Sequence, residues 1–183
     1  MKVQVNIGFS PDRLHLKDLV LFSLKNAVKN SPFKTRICDV DNMVDNEPLY
    51  HKYNFMQSYG SDWADYVMKL DGDNLVSANI FQRLESVLHQ RPAMVGFTRV
   101  LLFDVINFKI KESSGDPTGT CLISSEYAGN YYNEHNRHSI IFTKVKEQGG
   151  IIHEVSDKAY IMDIKDGFNV WDYGQIKGYS LYS

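Results

Sequence analysis

The chain reads as an α/β protein, a single-domain three-layer sandwich with a mostly parallel central sheet between helices. Three observations predict it. Hydrophobic periodicity switches between two and about 3.6 residues along the sequence, the pattern of strands separated by crossover helices. Three successive strand-like runs end in acidic or polar turns. The 183 residues, 43% hydrophobic and 13% aromatic, can fill one well-buried core and are too few for two ordinary ones, so residues 1–183 are taken as one domain.

The elements follow in order. Val3, Val5 and Ile7 alternate as a first strand. Ser10-Pro11-Asp12 offers a capping hydroxyl with proline at the first helical position, and Leu16, Leu19, Val20, Leu24, Ala27 and Val28 make an apolar stripe, predicting a helix that ends near Asn30. Thr35 to Val40 is a second strand running into Asp39 and Asp41, and Asn46 to Gly60 a second helix, opened by Asn46-Glu47-Pro48 and closed by glycine. Tyr66 to Leu70 is a third strand. Ile80, Phe81, Leu84, Val87 and Leu88 form one helical stripe that stops before Pro92, followed by a strand from Ala93 to Phe97. From Arg99 to Asn136 the pattern breaks up, with 112–119 the clearest loop. A helix over Ser139 to Gln148, halted by Gly149-Gly150, and strands at Ile151–Val155 and Tyr160–Ile164 complete the order.

Composition narrows the function classes. A formal net charge of −2 does not indicate nucleic-acid binding through a broad basic surface. Cys38 and Cys121 are too few for a disulfide framework or a zinc site and read as reduced thiols. The amino-terminal residues 1–7 lack the apolar core of a signal peptide, and no later run is long enough to span a bilayer, so a soluble cytoplasmic protein is expected.

The most informative segment is 64–74, where an apolar strand-like run ends in Asp71-Gly72-Asp73-Asn74. Two carboxylates flanking a permissive glycine at a strand end can hold a hard divalent cation and leave coordination positions for phosphate oxygens. In an open α/β sheet, ligands bind outside the carboxyl ends of the strands, so the three acidic strand ends should meet at one crevice. The same residues are also ordinary turn formers. Calcium loops are excluded: counted from Asp39 or Asp71, the sixth place holds Val44 or Val76, where glycine is needed, and the twelfth Tyr50 or Gln82, where glutamate is needed.

This order of elements, with Leu70-Asp71-Gly72-Asp73 behind a strand and ahead of a helix, resembles the nucleotide-sugar-binding half of GT-A fold glycosyltransferases, particularly the family 2 group. Asn74 stands where that family carries a further Asp. The resemblance covers residues 1–98 as a nucleotide-sugar-binding half and 99–183 as a reduced acceptor side. It implies a glycosyltransferase using a nucleoside-diphosphate sugar, a uridine one first, with Mn2+ or Mg2+ as cofactor and an unidentified acceptor. It assigns base recognition to Asp39, with Asp41 as the second choice, the ribose to Asp71 and the metal to Asp73 with Asp71. Late in the chain, Asp163 is placed near the metal and Lys165 at the diphosphate. Glu134 is the nearest match to a catalytic base, although His135 replaces the usual Asp, with Asp116 and Glu126 as substitutes. His135, His138 or His153 would supply any late histidine ligand, and Trp171, Tyr173, Tyr179 and Tyr182 either stack on a ligand or cover a sheet edge. Two further readings stay open: a degenerate module that binds without turnover, and a nucleotidyltransferase. Against the latter, the 8–13 loop has one glycine, not a phosphate-cradling run.

Overall fold

The computed structural model describes residues 1–9, 11–41, 49–114, 120–133, 140–156, 160–165 and 180–181. Their order is β1 (Lys2–Gly8), a 3-10 turn (Pro11–Leu16), α1 (Lys17–Lys29), β2 (Lys34–Asp39), α2 (Leu49–Ser58), β3 (Tyr66–Asp71) and β4 (Asn74–Val76). Then come α3 (Ile80–Arg83), α4 (Glu85–His89), β5 (Met94–Phe97), β6 (Arg99–Asp104), β7 (Lys109–Ser114) and β8 (Cys121–Ser124). A second 3-10 turn (Ser125–Tyr127), α5 (Ile140–Glu147), β9 (Ile152–Val155), β10 (Ile161–Lys165) and β11 (Ser180–Leu181) follow. Among the described residues no helix is long and apolar enough to cross a membrane.

Two sheets organise the described residues. The larger has the order β2-β1-β3-β8-β5-β9 and the smaller β11-β7-β6-β10-β4. In the larger sheet β1 pairs in parallel with β2 and β3, and β5 with β9, while β8 runs antiparallel between β3 and β5. Residues 3–7 of β1 are all buried, as a central strand covered on both faces must be. Val3, Val5, Ile7 and Met68 face a core closed by Val20, Leu24 and Ala27 of α1 and by Phe81, Leu84 and Leu88 of α3 and α4. Each of those large side chains contributes about 1.5–3 kcal/mol by leaving water. Strand alternation turns Val67 to the opposite face, where α5 seals Met94, Cys121 and Ile123 with Ile141, Phe142 and Val145. Gln4 and Asn6 also take that face, and Asn6 Nδ2 donates to the carbonyls of Met56 (2.7 Å) and Tyr59 (2.9 Å), fixing the carboxyl end of α2. Helices on both sides of the sheet make the three layers.

Several elements differ from the sequence reading. The first helix begins as a 3-10 turn and becomes α-helical at Lys17, where Leu16 provides no capping side chain. The stripe from Ile80 to Leu88 is divided at Leu84 into α3 and α4, and Arg91 turns left-handed (φ 54°) ahead of Pro92. Gly60 (φ 81°) follows α2 and Gly149 (φ 79°) follows α5, both in the region that favours glycine. The largest correction lies in 99–136, which carries the hairpin β6–β7 and strand β8 instead of an irregular stretch. Cys38 and Cys121 are both free, and burial pushes the Cys121 thiol up to about 12, an inert group.

Candidate functional site

The strand ends converge. Register puts Ile7 opposite Asp39 and Gly8 opposite Asp71, so β2, β1 and β3 finish at one level. With strands about 4.8 Å apart, Asp39 and Asp71 stand about 10 Å from each other across the end of β1. Gly72 lets the chain turn under that end: a Cβ there would lie 2.6 Å from the Gly8 carbonyl oxygen and 3.0 Å from Phe9 Cα. Glycine is required by this close backbone approach, not by an unusual φ.

The turn after β3 is tied down on every side. Asp71 accepts from Lys69 Nζ at 2.7 Å, and that lysine is 1% exposed, its ammonium 4.3 Å from the Tyr53 ring centroid and 6.0 Å from that of Tyr132. Burial pushes the phenols of Tyr53 and Tyr132 well above their ordinary range, so both stay neutral and face the ammonium as uncharged rings. Asn74 is buried; its Nδ2 donates to Asp73 Oδ1 (3.0 Å) and its Oδ1 accepts from Thr120 Oγ1 (2.8 Å). The residue that departs from the family pattern therefore orients the second carboxylate and adds no charge. Arg13 Nη2, on the 3-10 turn after β1, stands 3.7 Å from Asp73 Oδ2.

Asp163 reaches the same place through strand pairing. Strand β10 runs antiparallel to β4 with Asp163 opposite Asn74, and Ile164 N–H donates to the Asp73 carbonyl at 2.8 Å. Lys165 Nζ pairs with Asp163 Oδ2 at 2.7 Å, whereas Asp163 Oδ1 is buried without a hydrogen-bond partner among the described residues. Burial, then the charge of Asp73, pushes the Asp163 carboxyl up to about 7 against the opposing pull of Lys165. Burial and Asp71 raise Asp73 as well. The two acids raise one another, and one carboxylate oxygen is left unsatisfied, a donor pair for a cation once Arg13 and Lys165 turn away from them. Among the described residues no group of three or more His, Cys, Asp or Glu side chains forms a complete metal centre. A cation held by Asp73 and Asp163 would therefore take its remaining ligands from outside that set, and substrate phosphate oxygens fit that chemistry.

Asp39 and Asp41 lie at the crevice but are engaged. Asp39 pairs with Lys17, and Asp41 Oδ1 accepts from Lys52 and from Phe9 N–H (2.7 Å), joining the β1 loop to α2. Asp41 N–H donates to Asp39 Oδ1 at 3.1 Å. The bond to Asp39 holds Lys17 above its ordinary pKa.

Other sequence candidates fall elsewhere. Glu126 sits on the 3-10 turn after β8, where Ser125 N–H donates to the Asp65 carbonyl at 3.0 Å. Asp65 precedes β3 and Asp71 ends it, so Glu126 is about 20 Å from the crevice and is corrected as a base candidate. It lines a separate cavity of about 630 Å3 with Asp65, Arg91 and Tyr127 at the opposite end of the strands. His153 lies on edge strand β9, three strands from β3, too far to join Asp73. Glu134, Asp116, His135, His138, Trp171, Tyr173, Tyr179 and Tyr182 lie outside the described residues. The sequence reading missed Lys17, Lys52, Lys69 and Thr120, and gave Arg13 no role. Lys69 alone carried a signal, since its spacing of two from Asp71 in a strand puts both on one face.

No family model matches the chain, and no curated protein sequence matches it. Solved structures do. A mutant of the Drosophila β1,4-galactosyltransferase 7, in complex with manganese, UDP-Gal and xylobiose, is 12% identical with a TM-score of 0.59, over 96% of this chain and 79% of that one. A glycosyltransferase involved in the glycosylation of the major capsid of PBCV-1 is 9% identical with a TM-score of 0.57, over 89% and 93%. A 4-diphosphocytidyl-2C-methyl-D-erythritol synthase from Anaerococcus prevotii is 8% identical with a TM-score of 0.51, over 85% and 89%. At such identities the likeness is one of fold, and the fold is GT-A-like.

Proposed function

We propose that this chain is a metal-dependent glycosyltransferase, a single domain over 1–183 that takes a sugar from a nucleoside-diphosphate sugar, a uridine one first, to a hydroxyl acceptor. The observation that supports this best is the pairing of β4 with β10, which sets Asp163, with its unsatisfied oxygen, beside Asp73 at the end of β3. In this reading Asp73 and Asp163 hold Mn2+ or Mg2+, which when bound neutralises the leaving nucleoside diphosphate as a Lewis acid. Asp71, steadied by Lys69, takes the ribose, and Asp39 the base. Arg13 and Lys165 are the cations nearest the two metal-side acids and would pair with diphosphate oxygens once those acids turn to the cation. In an inverting reaction the acceptor oxygen attacks the anomeric carbon as the bond to the phosphate breaks, and its proton passes to a base, a role the resemblance gives to Glu134; a retaining reaction needs no base there.

A second reading is a module that binds a nucleotide or partner without turnover, because His135 beside Glu134 replaces the Asp expected in a catalytic base pair. Calorimetric titration of UDP, GDP and UDP-sugars with Mn2+ and then with EDTA tests the donor site, and release of UDP from a bound UDP-sugar separates enzyme from module. Asp73→Asn keeps the shape and removes the charge. It should weaken metal-dependent binding at least about 100-fold, because even residues outside a metal's own ligands are worth 10- to 100-fold. Unchanged binding in that variant would refute the assignment.

A further inference from the structure

The β6–β7 hairpin presents an apolar tip that neither the fold nor the donor site uses. Phe108 is 82% exposed and Ile106 65%, with Val105 and Ile110 beside them also open to water. This tip is held in shape. Asp104 Oδ1 accepts from the N–H groups of Ile106 and Asn107 at 3.0 Å each, its Oδ2 accepts from Asn107 Nδ2 at 2.7 Å, and Val105 N–H donates to the Lys165 carbonyl at 2.9 Å. Phe108 also has φ 50°, a left-handed backbone that favours glycine or asparagine and disfavours a bulky ring. Folding therefore gains from Phe108 neither burial nor backbone fit.

From the shape and charge of this tip we infer that it docks on an anionic lipid bilayer. The surface is a convex point, not a groove, so it suits insertion into a deformable medium. Its apolar side chains offer about 400 Å2, half of the roughly 800 Å2 per partner that a stable protein interface buries. Lys109 and Lys111 follow Phe108 on β7. Glu112 pairs with Arg99 at 3.0 Å, and Asp104 stays ionised under its hydrogen bonds, so Arg99, Lys109 and Lys111 outnumber the two acids by one positive charge. A ring and aliphatic side chains at the acyl boundary with lysines at the headgroups is the arrangement that anionic membranes attract. Strand β6 is parallel to β10 with Leu102 opposite Asp163 and Asp104 opposite Lys165. The tip thus projects about 10–15 Å beyond Asp163 at the same end of the molecule. A docked tip would face the donor crevice toward the bilayer surface, although the inference needs neither nucleotide nor metal.

Vesicle sedimentation of the full chain, without nucleotide or metal, tests it. Vesicles of three parts phosphatidylcholine to one part phosphatidylglycerol should retain at least five times more protein than phosphatidylcholine alone, and high salt should abolish the difference. Phe108→Gly is the informative variant, because it relieves the left-handed backbone while deleting the ring. It should keep or raise the melting temperature and lose at least fivefold in vesicle binding, and Lys109→Glu should lose the preference for anionic lipid. Absence of wild-type binding to the anionic vesicles, equal binding by Phe108→Gly, or concentration-dependent dimerisation that Phe108→Gly removes without any vesicle binding would each overturn the inference.

Discussion

Asp163 holds its proton up to about 7 because it is buried beside Asp73. An aspartate in the unfolded chain lets go near 4, so between about 4 and 7 the folded state binds more protons, and stability falls as pH rises through that window. Below about 4 the contribution is fully present; above about 7 it is gone. We predict that the protein in EDTA loses on the order of 1–3 kcal/mol between pH 5 and pH 8, seen as a drop of roughly 3–8 °C in melting temperature. Millimolar Mn2+ should reverse the loss at pH 8, and Asp163→Asn should flatten the slope whatever its absolute stability. A wild-type melting temperature independent of pH would remove the buried acid pair from the account. At this scale much of the site was legible: Asp71 and Asp73 stand out because an apolar strand cannot continue through them, and Lys69 shares the face of Asp71 by simple alternation. Thr120 and Arg13 were not, since each reaches the site only through pairing or a turn that no local pattern encodes.

The β3–β4 turn is the element that makes the crevice. It passes under the end of β1 so closely that a Cβ on Gly72 would meet backbone, the Gly8 carbonyl oxygen and Phe9 Cα, as well as the Phe9 ring. Backbone cannot shift as a flexible side chain can, so Gly72→Ala should cost about 1–3 kcal/mol in urea unfolding, as overpacking commonly does. Because the same shift moves Asp71 and Asp73, Mn2+-dependent nucleotide binding should fall as well; full stability with full binding would show that the turn has slack. Strands β1 to β3 and helices α1, α2 and α5 could be read because their periodicity and punctuation agree: Gly60 and Gly149 stand where helices end. The β6–β7 hairpin could not, for a physical reason. Asp104 and Asn107 make its turn, but Val105, Ile106 and Phe108 stand among them, so the break between strands is masked by apolar residues on either side.

Across the whole molecule, the division at residue 98 that the resemblance suggested is not a division of the hydrogen-bonded structure. Strand β8 comes from the second half yet lies between β3 and β5, pairing Lys69 with Cys121 and Val95 with Leu122. Strand β4 comes from the first half yet finds its partner, β10, at the far end of the chain. Removing residues 99–183 would strip β3 and β5 of their shared neighbour, open the faces of Val67, Met68, Met94 and Val95, and leave Asp73 without Asp163. The larger sheet would then fall to three paired strands beside an orphaned β5. A fragment of 1–98 should show no cooperative thermal transition and no Mn2+-dependent nucleotide binding, measured by circular dichroism and calorimetry beside the full chain. A cooperative transition in that fragment would mean that the donor half folds by itself and that one domain over 1–183 is the wrong unit. Loss of the transition would show that β3 and β5 need β8 to fold, so that Asp73 and Asp163 come together only once the last described strands have closed on the first.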